Sequence, residues 1–88
     1  TENKLSFEEK KQLEKDLKKT QHKINKLENQ VEELEAKILE LSNDLHDPTK
    51  YSDDLLEQYN AAKQELEQVM TDWEENQLQE EELKNKLN

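Results

Sequence analysis

Seven lysines crowd residues 10 to 26 of this 88-residue chain, against only Glu14 and Asp16. Lys11, Lys15, Lys18, Lys19 and Lys26, with His22 among them, follow one another mostly in steps of three and four. On a helix that spacing gathers side chains on one face. Ammonium groups so arranged can track a phosphate backbone and add salt-sensitive, sequence-independent affinity for DNA or RNA. A second reading stays open: charge runs on helices are commonly solvated faces, and this one balances Glu74, Glu75, Glu80, Glu81 and Glu82 further along the chain.

No other residues combine into a reacting set. Cysteine and glycine are both absent, which removes thiolate nucleophiles, disulfides and phosphate-cradling glycine loops. His22 and His46 stand too far apart to share a metal ion within one chain. The carboxylates Glu32, Glu33, Glu74, Glu75 and Glu80 to Glu82 read as solvated helix faces rather than a cation site. The expectation is a binding or spacing element with no catalytic residues, no metal and no cofactor of its own.

The elements that position the lysines follow from the apolar pattern. Charged residues make up 41% of the chain and apolar ones 30%, with a single proline, a composition suited to long solvated helices. Leu13, Leu17, Ile24, Leu27, Val31, Leu34, Ile38, Leu41 and Leu45 recur at alternating gaps of four and three, with Thr20 filling the one polar place. That is a heptad seam, with Leu17, Ile24, Val31, Ile38 and Leu45 at a and Leu13, Thr20, Leu27, Leu34 and Leu41 at d. The lysine stripe then falls on the outward b, c and f positions.

Ser6-Phe7-Glu8-Glu9 reads as a capping box, so helix one is expected from about residue 7 to 45. Pro48 lies within His46-Asp47-Pro48-Thr49-Lys50-Tyr51-Ser52 and would cost roughly 3 kcal/mol inside a helix, so it marks a tip over about 46–52. Ser52 can cap a second helix, over about 53–87, with Asp53 and Asp54 in its first turn and Tyr51 stapled to Leu56. Its seam is Leu55, Tyr59, Ala62, Leu66, Val69, Trp73, Asn76, Glu80, Leu83 and Leu87.

If the chain folds back on itself, facing residues must have numbers with a constant sum. Here that sum is 100: Leu45 meets Leu55, Leu41 meets Tyr59, Ile38 meets Ala62, Val31 meets Val69 and Leu27 meets Trp73. Flanking charges fit the same register, pairing Glu14 with Lys84, Glu35 with Lys63, Asp16 with Lys86 and Lys37 with Glu65. The fold predicted is therefore all-α, a two-helix antiparallel coiled-coil hairpin forming one domain over 1–88, and monomeric. A parallel dimer of unbroken helices would set Pro48 in mid-seam. The polar stretch around Thr20 and Glu80 is expected to open first.

The order Lys4-Leu5-Ser6-Phe7-Glu8-Glu9-Lys10, then Asp47-Pro48 with Tyr51 and Ser52, then Trp73-Glu74-Glu75 resembles the C-terminal domain of ABC-F ATPases, especially the Uup branch. The likeness covers nearly the whole chain and departs after Trp73, where Asn76, Gln79 and Glu80 take seam and flanking places. It implies a coiled-coil arm carried behind two ATP-binding cassettes of a cytoplasmic protein that acts on ribosomes. ATP and magnesium would belong to those cassettes, and the partners implied are DNA, ribosomal RNA or the ribosome, or the protein's own ATPase domains. Asp47, Pro48 and Tyr51 would form the structured tip and Trp73 would pack in the seam. A chain beginning without methionine, as this one does, is also expected to be a piece of a larger protein. No apolar run long enough for a membrane helix or signal-peptide core occurs, and Thr1 to Lys4 are polar.

Overall fold

A computed structural model describes residues 6–88. Lys4 and Leu5 of the family-like run lie outside the described residues. Two helices, α1 (Phe7–Leu45) and α2 (Asp53–Leu87), pack against each other along a hairpin measuring 69 × 17 × 15 Å.

Each helix begins where a serine can satisfy its first free amides. The Ser6 hydroxyl accepts from the Glu9 amide at 3.1 Å, and the Ser52 hydroxyl accepts from the Leu55 amide at 3.1 Å. Both serines have extended backbone, and acidic pairs follow them, Glu8 with Glu9 and Asp53 with Asp54, where the helix dipole favours negative charge. α1 ends at His46, whose amide reaches the carbonyls of Ser42 and Asn43, each at 3.2 Å.

Burial follows the seam in both helices. Thr20, Ile24, Leu34 and Leu41 of α1 and Ala62, Val69 and Leu83 of α2 are buried, and every other seam position is half-buried. This is the register in which facing residue numbers sum to 100. The indole Nε1–H of Trp73 donates to the Glu28 carboxylate at 3.2 Å, one residue out from that sum, and ties the helices together at mid-length. Thr20 is only 3% exposed, more buried than Ile24 at 6% and Leu83 at 7%. Its hydroxyl donates to the Asp16 carbonyl at 2.9 Å, so the seam tolerates it without an unpaired polar atom.

Tyr51 and Leu56, the expected staple, are 52% and 39% exposed, and the turn beside them is closed by the Lys50 and Tyr51 amides on the Asp47 carbonyl. One expectation about the flanks needs correction: the four cross-helix ion pairs are not formed. Among the described residues the ion pairs are Lys50 with Asp44 at 3.6 Å and Lys84 with Glu80 at 3.8 Å, neither of them between α1 and α2 along the seam. Local partners win. Lys84 goes to its own helix, Asp16 accepts from Gln12 at 3.0 Å, and the Lys63 ammonium lies 5.3 Å from the centre of the Tyr59 ring. Lys37 and Glu65 line one groove without pairing. An exposed pair gains too little, about 0–1 kcal/mol, to hold two long side chains across the gap.

Candidate nucleic-acid interface

α1 carries the lysine stripe because the heptad leaves b, c and f turned away from α2. Lys11, Lys15, Lys18, Lys19, Lys26 and His22 are all exposed. From Lys11 to Lys26 the stripe runs about 22 Å along the helix at 1.5 Å per residue. None of its lysines appears in an ion pair among the described residues, so the acidic stretch of α2 does not neutralise it by contact. Lys26 and Lys23 border a shallow groove with Leu27, Gln30, Asp72 and Asn76, at the end of the stripe nearer the tip. A row of ammonium groups free of ion pairs on one helix face can neutralise phosphates.

The tip is built by Asp47. Its carboxylate Oδ1 accepts from the Thr49 hydroxyl at 2.7 Å and the Thr49 amide at 2.9 Å, while its carbonyl accepts from the amides of Lys50 and Tyr51, both at 3.0 Å. Pro48 fits the first position of this single turn because its fixed φ suits the place and its missing amide is not needed. The two bonds from Thr49, the hydroxyl's first, hold the Asp47 carboxyl below the ordinary aspartate value by favouring its charged form. Lys50 closes the turn onto Asp44, and the His46 ring Nδ1–H donates to the Ser42 carbonyl at 2.7 Å. Tyr51 stands exposed beside it.

The structure thus separates the sequence candidates into two places. The lysines and His22 share the outward face of α1; Asp47, Pro48, Tyr51 and His46 share the tip. Among the described residues no cluster of three or more His, Cys, Asp or Glu side chains could hold a metal ion. No helix of the described residues is long and apolar enough to cross a membrane.

One feature of the surface is absent from the sequence reading. An open groove between the helices is lined by Glu28, Val31, Glu32, Met70 and Trp73. The signal available was an apolar residue at a flanking e position: Met70 and Leu56 both occupy e in α2, and both are exposed.

Residues 4–78 match the family described as ABC transporter C-terminal domain. Neither the curated proteins nor the solved structures compared with the chain give a match.

Proposed function

The chain belongs to the ABC transporter C-terminal domain family, and on that premise we propose that it is the non-catalytic arm of a cytoplasmic ABC-F protein of the Uup kind, contacting nucleic acid through α1. ATP and magnesium act at cassettes outside this chain. The observation that carries the nucleic-acid part is the exposed stripe Lys11, Lys15, Lys18, Lys19 and Lys26, with no carboxylate pairing it off. Its length of about 22 Å matches about six phosphates of one strand at 3.4 Å each along a duplex. A net charge of −10 sets the rest of the surface against a polyanion, so contact is confined to this face.

A second reading, an arm that spaces or docks on protein at its tip, draws on the exposed Tyr51 and the 69 Å length. Fluorescence anisotropy of labelled duplex DNA and of structured RNA, titrated with this chain at two salt concentrations, separates the two. Phosphate contact gives affinity that falls with salt, at a log-log slope of roughly −0.9 for each duplex phosphate neutralised, and that vanishes when the five lysines become glutamates. Circular dichroism checks that the variant is still helical. No binding at low salt by the folded chain would overturn nucleic-acid contact and leave the tip-docking reading.

A further inference from the structure

The groove between the e positions at mid-length combines two properties that the coiled coil itself does not require. Its floor is apolar, formed by Val31, Met70 and one side of Trp73, and Met70 is 44% exposed. A methionine left open beside an aromatic ring is an adaptable contact surface for another apolar side chain. Its α1 wall is formed by Glu28 and Glu32. These stand four residues apart on one helix, where like charges repel. No lysine lies three or four residues from either on α1, and neither is in an ion pair among the described residues. One oxygen of Glu28 accepts from the Trp73 indole at 3.2 Å, which fixes the carboxylate at the rim.

On the far wall, the heptad places Glu67 and Glu74 at b positions on either side of Met70. Lys63, the cation at the tip-side edge of this face, is turned toward Tyr59.

From this we infer that the groove docks a basic amphipathic helix of a partner protein, with a large apolar side chain on Val31, Met70 and Trp73 and Lys or Arg side chains against Glu28 and Glu32. The spacing of the two carboxylates, about 6 Å along α1, equals that of side chains one turn apart on an opposing helix. An apolar strip alone would admit any helix. The unpaired carboxylates select a cationic one and exclude a polyphosphate, so this face is separate from the lysine stripe and does not depend on nucleic-acid contact.

Trp73 is the single tryptophan and lines this groove, so its emission reports binding there; it also borders a second groove with Leu78 and Glu81, and loss of the signal on changing Glu28 and Glu32 assigns it to the first. The probe is a synthetic leucine–lysine peptide of about 18 residues, roughly five helical turns, titrated into this chain near physiological salt. A saturable change in Trp73 emission is expected, with none from the leucine–glutamate analogue. The double variant Glu28→Gln with Glu32→Gln should bind roughly five- to tenfold more weakly. It keeps an acceptor for the indole, and circular dichroism confirms that it folds. A charge-matched control, Glu40→Gln with Glu57→Gln, changes two exposed carboxylates eight residues from Glu32 and thirteen from Met70, at least about 12 Å along the axis and beyond the screening length of about 8 Å, so its affinity should stay within about twofold of the parent. Silence of Trp73 with the leucine–lysine peptide would overturn the proposal. So would an equal loss in the two double variants, because the peptide would then be following net charge rather than this groove.

Discussion

At the scale of single residues, Asp47 has the clearest chemical signature. The fold favours its ionised form, so its contribution to the tip is present above the ordinary aspartate range and is lost as pH falls through its lowered native value. An NMR titration of the Asp47 carboxyl should show a midpoint below the ordinary range. Thr49→Ala, which removes the hydroxyl and leaves the amide, should move that midpoint back up; an unmoved midpoint would deny the hydroxyl its role. Thr20 makes the opposite case. It is buried in an apolar seam with its hydroxyl turned back to Asp16. Thr20→Val keeps the branch and exchanges that hydroxyl for a methyl, so it should raise the stability to urea by about 0.8 kcal/mol, and a loss would show that the hydroxyl is needed. Asp47 and Pro48 were legible as a turn because proline excludes a continuous helix, but the Thr49 partner was not, since a threonine after proline has no fixed direction in sequence. Trp73 was legible as a seam residue from its a position. Its bond to Glu28 was not, because a seam assignment says nothing about where an indole N–H points.

At the scale of elements, the helix starts and the seam follow from local rules. The two serine caps could be read off because a hydroxyl three residues ahead of a free amide is a local geometry. The constant sum of 100 could be read off because twenty seam residues had to agree with it together. The flanking ion pairs misled for the converse reason: each is an isolated, weakly held contact, and Glu80, Gln12 and Tyr59 offered Lys84, Asp16 and Lys63 nearer partners. The caps are also expected to differ in weight. Ser52 starts α2 beside the closed tip, so Ser52→Ala should cost about 1 kcal/mol and lower the melting temperature by roughly 4–8 °C. Ser6 caps a first turn whose residues, Phe7 to Gln12, are all exposed and brace nothing. Ser6→Ala should therefore cost less in the same melt, and equal losses would mean that the open end is as firmly held as the tip.

At the scale of the whole molecule, the hairpin is a rod. Its Cα radius of gyration is 19.8 Å, where a compact domain of this length has about 12 Å. Small-angle X-ray scattering should return a value near 20 Å that does not change with concentration. A value rising with concentration would revive the dimer of unbroken helices. The lysine stripe was legible at this scale because a helix face is periodic, whereas the Val31–Met70–Trp73 groove needs two elements side by side before it exists. The pairing of seam residues through a single tip has one more consequence. Arm length is quantised: seven residues added to α1 must be matched by seven in α2, and each matched step lengthens the rod by about 10 Å while returning outward side chains to nearly the same bearing. An unmatched step would slide every rung past its partner. The hairpin is thus a ruler whose far end can be moved out or in while the chemistry at its tip and on its flank is left as it is.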